Sequence, residues 1–94
     1  MSELLRIIDE WKDRNGQPSD ASIARAMGMP PQTLGAWRDR GIKAVPRNLE
    51  PLRRLSYITG LDYTDVIVQA VAVDVGLRDE MPEWHWPERG RGAS

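Results

Sequence analysis

The stretch SIARAMGMPPQTLGAWRDRG, residues 22–41, holds a glycine, two adjacent prolines and a tryptophan, and no single helix runs comfortably through all of them. Gly28 can take the positive φ that closes a helix without a Cβ penalty. Pro30 and Pro31 suit the first turn of the next helix, where a fixed φ helps and a missing N–H costs nothing. The segment therefore reads as two short helices joined by a tight turn. Ser19 or Asp20 caps the first, whose inward face is Ile23, Ala24 and Met27. The second runs from about Pro31 to Arg40, with Leu34 and Trp37 on one face, and stops at Gly41. Ala24 is small, as a residue must be where two helices cross closely.

The elements on either side follow the same logic. Leu4, Ile7, Ile8 and Trp11 recur at the spacing that makes one apolar stripe on a helix, capped by Ser2 and ended by Asn15-Gly16 and Pro18. After a loop, IKAVPRN, Asn48 can cap a fourth helix through Leu49, Leu52, Leu55 and Ile58, terminated by Gly60. The run DYTDVIVQAVAVDVG admits two readings. Its β-branched residues suit a strand, but its length and the alignment of Val66, Ala70 and Val73 on one helical face favour a helix starting at Asp62 or Thr64. The prediction is an all-α domain over residues 1–76 and an irregular tail over residues 77–94, broken by two prolines and terminal glycines.

Composition narrows the functional classes. Ninety-four residues suit one compact domain. The absence of cysteine removes disulfides, thiolate metal sites and thiol nucleophiles. No apolar run approaches the roughly 20 residues that span a bilayer, and the N-terminal MSELLRIIDEW carries acids too early for a signal peptide. The expectation is a cytoplasmic protein without a membrane partner. Net charge is close to zero, yet its distribution is uneven. Six bases (Arg38, Arg40, Lys43, Arg47, Arg53, Arg54) face two acids (Asp39, Glu50) between residues 38 and 54, whereas Gly60 to Glu88 holds seven acids and Arg78 alone among lysines and arginines. A basic middle points to an anionic partner, although a mixed solvated surface produces the same asymmetry.

The spacing Ala24-x3-Gly28-x5-Leu34-x2-Trp37 resembles the helix-turn-helix signature at its four structural positions, over a motif of about residues 20–40. With the flanking elements, residues 3–76 resemble the lambda-repressor-like class of Cro, repressor and XRE-type proteins. WRDRGIKAVP is similar to the Trp-x-x-Arg-Gly stretch that follows the recognition helix in many small phage and bacterial regulators, and the valine-rich run ending DVGL is similar to actinobacterial and phage ones. The resemblance implies a five-helix DNA-binding domain and a transcriptional regulator, of Cro-like or short-repressor type, that occupies a promoter operator.

It also implies where double-stranded DNA is read. The N-terminal face of the second motif helix enters the major groove, which carries over to Pro30, Pro31, Gln32, Gly35 and Ala36, with Thr33 alongside. Only Gln32 and Thr33 offer hydrogen-bonding side chains, fewer than is common in the family. Gln32 suits adenine through N6 and N7, while Pro31 and Ala36 suit the thymine methyl; a solvated Gln32 is the plainer alternative. Gly35 either permits close approach to the groove or packs tightly inside the fold, at about 1 kcal/mol against alanine. Arg38, Arg40, Lys43 and Arg47 are placed on backbone phosphates, with at least one arginine expected to pair with Asp39 or Glu50 instead. Ser22 either adds its hydroxyl and nearby N–H groups to another phosphate or serves as a local cap. Arg53 and Arg54 read as solvated. Family analogy suggests a homodimer on a palindromic operator.

Trp11 and Trp37 read as core. Trp84 and Trp86 share one side of an extended tail, with Glu83 and His85 on the other, and need burial on this domain or on a partner. The only histidine has no ligand-spaced neighbours, so neither a metal nor another cofactor is expected, and there is no nucleophile–base pair or phosphate loop to suggest an enzyme or a small-molecule substrate. The competing functional reading is a protein-interaction module, antitoxin-like or a phage adaptor, whose acidic C-terminal half binds a basic partner.

Overall fold

The break at residues 28–31 falls where the prolines and glycine predict. In the computed structural model, which describes residues 2–87, the helices are α1 Glu3–Arg14, α2 Asp20–Met27, α3 Pro31–Arg40, α4 Glu50–Thr59 and α5 Val68–Asp74, the last entered through a π-wound turn, Tyr63–Ile67. Among the described residues there is no strand. The described chain is a compact all-α bundle, and no helix in it is long and apolar enough to cross a membrane. Residues 88–94 of the expected tail lie outside the described residues.

Each helix contributes its apolar stripe to one shared core. Leu4, Ile7 and Ile8 of α1, Met27 of α2, Leu34 of α3 and Leu55 of α4 are all at most 1 % exposed. Burying one such side chain contributes roughly 1.5–3 kcal/mol. Ala24 is fully buried where α2 meets α3 and α4. Trp11 and Trp37, expected in the core, pack against it from its rim and are half-buried.

The turn after α2 is a complete Schellman closure. Gly28, at φ 77°, donates to the Arg25 carbonyl, and the Met29 N–H reaches back to Ala24 at 2.9 Å. Met29 and Ala24 are both buried, which supplies the apolar contact that accompanies this motif.

The fifth helix is a helix and not a strand, with a shifted face. Ile67 N–H bonds to the Asp62 carbonyl and Val68 N–H to Tyr63, a five-residue spacing that widens the first turn. The register rotates, so Ile67 and Val71 join Val66 and Ala70 in the core, and Val73, expected inside, is only half-buried.

The end of α5 closes the bundle against its beginning. The Asp74 carboxylate accepts from the Ser2 hydroxyl at 2.6 Å and from the backbone N–H groups of Glu3 and Leu4 at 2.6 and 3.1 Å. Ser2 in turn accepts from the Leu5 N–H at 3.0 Å, so its expected capping role holds. A carboxylate among unpaired N–H groups at a helix N-terminus also meets the positive end of the helix dipole.

The described part of the tail, through Trp86, docks on this domain. The Trp86 Nε1–H donates to Glu10 of α1 at 3.1 Å, and the Arg14 guanidinium lies 5.1 Å from the Trp86 ring centre. Trp84 and Trp86 meet edge to face, centroids 5.2 Å apart. Glu83 and His85, on the outer side, are exposed and 3.5 Å from each other.

Candidate nucleic-acid interface

The surface begins with a helix that leaves its own start open. α2 is capped by the Ser19 hydroxyl, which accepts from the Ser22 N–H at 3.1 Å. α3 has Pro30 at the same position and no side-chain cap; its first turn is held by the Thr33 N–H bonding to the Pro30 carbonyl at 3.0 Å. Leu34 is buried, and the helix turns its other side outward: Pro31, Gln32 and Gly35 are exposed, Thr33 and Ala36 half-exposed. Residues four apart share a face, so Pro31 aligns with Gly35 and Asp39, and Gln32 with Ala36. These rows adjoin, forming one strip with little side-chain relief that ends in the exposed carboxylate of Asp39.

Gly35 has an unexpected environment. A Cβ built on it meets nothing within 4 Å, so tight packing inside the fold is excluded as its reason. A glycine within a helix, at a position no internal neighbour requires, costs helix stability for no gain within this chain.

Arg38 differs from the other cations. Its guanidinium donates through Nε and Nη2 to Asp20 at 2.5 and 3.0 Å, and through Nη1 and Nη2 to Asp9 at 3.2 and 2.7 Å. Lys12 adds a contact to Asp20 at 3.1 Å. The side chain expected on a phosphate is thus committed to two carboxylates, and the structural arginine pairs with Asp9 and Asp20, not with Asp39 or Glu50. Bidentate geometry makes these strong charge-assisted bonds. The hydrogen bonds it donates to Asp9 and then to Asp20 hold the Arg38 guanidinium above its ordinary pKa. Arg38 beside Asp20 holds that carboxyl below its ordinary value, against an opposing push from burial and with help from Lys12. The cluster ties α3 to α1 and α2 and so fixes how the exposed strip is presented.

The remaining cations are free to face outward. Arg40, Lys43 and Arg47 are exposed and form no ion pair among the described residues. The loop that carries Lys43 and Arg47 is pinned by Ile42, which is 4 % exposed, and Leu49 packs against the core at its far end. Arg40 and Lys43 border one open cleft of about 510 Å³, walled by Trp37 and Val73. Ser22 retains its hydroxyl, but its N–H is taken by Ser19 and is not available to a phosphate. Arg53 and Arg54 are exposed, as expected. Arg53 lies 4.8 Å from the centre of the Tyr63 ring, and Arg54 pairs with Glu50 at 3.4 Å and leans over Gly28.

Asp9 and Asp20 are the site-shaping residues that sequence reasoning missed. Lys12 and Asp20 flank one helix junction, but nothing local connects Asp9 with a residue 29 positions later. Among the described residues no group of histidines and carboxylates is arranged to hold a metal ion. No protein-family model matches the chain, and comparison with curated proteins and with solved structures gives no match.

Proposed function

We propose that the chain is a sequence-specific, double-stranded-DNA-binding regulator of the lambda-repressor-like helix-turn-helix class, with α2 and α3 as the motif and α3 as the helix that enters the major groove. The observation that carries this reading is the division of labour among the cations: Arg38 is consumed in fastening α3, while Arg40 at the end of α3 and Lys43 and Arg47 in the loop after it are left exposed and without an ion pair among the described residues. On this reading Gln32 and Thr33, with Pro31, Gly35 and Ala36, face base edges, and the three cations take backbone phosphates, fixing register without reading sequence. The Ser22 hydroxyl adds a further phosphate contact from α2. Regulation would be by occupying an operator, as a Cro-like or short phage-type repressor does. A homodimer would place two copies of α3 about 34 Å apart on a palindrome.

Salt titration of duplex binding tests the reading. Counterion release predicts a steep linear fall of log affinity with log salt. Arg40→Ala should weaken all duplexes alike and lower that slope by about one, whereas Gln32→Ala should reduce discrimination between sites. Absence of duplex binding in dilute buffer sinks the proposal and leaves the protein-interaction module, with its acidic C-terminal half, as the better reading.

A further inference from the structure

The chain has two asparagines, and their surroundings are opposite. Asn48 is followed by Leu49, whose branched side chain packs against the core, and its amide oxygen accepts from the Glu50 N–H at 3.1 Å. Asn15 is followed by Gly16, which has no side chain to cover its backbone nitrogen, and residues 13–17 are all exposed. The Asn15 and Gln17 N–H groups both bond to the Lys12 carbonyl, at 3.1 and 2.8 Å, whereas the Gly16 N–H between them takes no partner among the described residues. Gln17, at φ 58°, is the one non-glycine residue with a positive φ among the described residues, so the turn holds a sparsely populated backbone conformation.

We infer that Asn15 is a site of spontaneous deamidation through a succinimide formed with Gly16, and that the product loosens the end of α1 on which the Trp86 tail docks; neither step depends on what the chain binds. Hydroxide takes the Gly16 amide proton and the nitrogen attacks Asn15 Cγ. The new N–C bond closes a five-membered imide, the Cγ–Nδ2 bond breaks, and ammonia leaves on a proton taken from water. Water then opens the imide at either carbonyl, leaving aspartate or, with the main chain rerouted through Cβ and Cγ, isoaspartate. In the folded turn Asn15 has ψ 29° and its Nδ2 donates to the Trp11 carbonyl at 2.8 Å, so ring closure waits for this cap to open. Helix ends fray, and an exposed turn opens locally without global unfolding. The product cannot close again in the same way. A carboxylate has no N–H for the Trp11 carbonyl and stands at the negative end of the α1 dipole. Arg14, one residue back, lies over the Trp86 ring, and Arg14, Asn15, Trp86 and Pro87 border one cleft. Loss of the cap therefore reaches the tail through the last turn of α1.

The test incubates the full chain in mildly alkaline buffer and follows each asparagine by peptide mass mapping, with enzymatic methylation of isoaspartate as the marker of the imide route. The peptide holding Asn15 should gain the mass of an amide-to-acid conversion and accept the methyl group, at a rate that climbs with hydroxide concentration, while the peptide holding Asn48 stays unchanged. Asn15→Gln keeps an amide donor but would have to close a six-membered ring, and it should show neither change over the same period. Equal conversion at both asparagines, or none at Asn15 over a period in which the urea-unfolded chain converts, overturns the site. Conversion without methylated isoaspartate overturns the imide route. The consequence is read on Asn15→Asp, by exchange of the Trp86 indole N–H with solvent relative to that of Trp37 on α3. Exchange at Trp86 should quicken about fivefold, as loss of one net hydrogen bond shifts an opening equilibrium. Unchanged exchange overturns the link between the modification and the tail and leaves the site itself standing.

Discussion

α2 and α3 are adjacent, of similar length and packed on one another, yet they are built to different ends. α2 is closed at both ends, by Ser19 at its start and the Gly28 turn at its finish, and buries Ile23, Ala24 and Met27. α3 starts without a side-chain cap, buries only Leu34 fully, and carries Gly35 in its middle. The first is a helix optimised for its own protein. The second has little stabilisation of its own and is fastened to the rest of the bundle by its Leu34 in the core and by its Arg38 clamped between Asp9 of α1 and Asp20 of α2. That contrast is what the DNA-binding proposal draws on: α3 is oriented by Leu34 and by the Arg38 ion pairs while its outer face takes no part in the core.

The comparison breaks most severely at its shared core. Leu34→Ala, in a position with no exposure, should cost about 2–5 kcal/mol and take the orientation of α3 with it, as read by urea unfolding and by loss of near-ultraviolet tryptophan dichroism. Next comes the glycine contrast. Gly28→Ala forces a side chain into φ 77° and sets a Cβ 3.0 Å from Arg54 Nη1, so it should destabilise by about 1–2 kcal/mol, opposite in sign to Gly35→Ala. Equal effects at the two glycines would erase the distinction drawn between the helices.

A smaller effect is expected at the clamp. Asp20→Asn should cost below about 1 kcal/mol at neutral pH, since its carboxylate is 37 % exposed. The pH dependence sharpens this. Asp20 has a folded-state pKa depressed below its unfolded value. Its contribution is therefore fully present above the ordinary carboxylate pKa and is lost as pH falls through the lower folded value. The gap in stability between parent and Asp20→Asn should close on acidification, measured by unfolding at pH steps downward from neutrality; a gap that widens would contradict the pairing. The smallest effect on the fold is expected at Arg47→Ala, which should leave the unfolding midpoint in place while reducing the salt slope of duplex binding by about one.

Local rules made much of the backbone legible. Gly28 with Pro30 and Pro31 located the break, Ser2 located the start of α1, and Asn48 holds the entry to α4 by accepting from the Glu50 N–H at 3.1 Å, although the helix itself begins two residues later. The inner face of α5 was misjudged at Val73 because its periodicity assumes 3.6 residues per turn, and the π-wound entry violates that assumption without a distinctive residue to announce it. The candidate strip on α3 was legible as exposed positions, but the two readings of Gly35 were separable only once the surrounding space was known. Two indoles in a polar tail required burial, and composition left open whether the cover was this domain or another.

The sequence by itself determined the first three helices with their ends and the sign of charge along the chain, because glycine, proline and capping residues act on the backbone within a single turn. Only the tertiary structure decided which arginine is spent and which cations remain, that Asp74 caps a helix starting 71 positions earlier, and that Trp86 finds Glu10 across 76. Those outcomes depend on distances between residues remote in the chain, and such distances exist only after the apolar stripes of all five helices have been buried together.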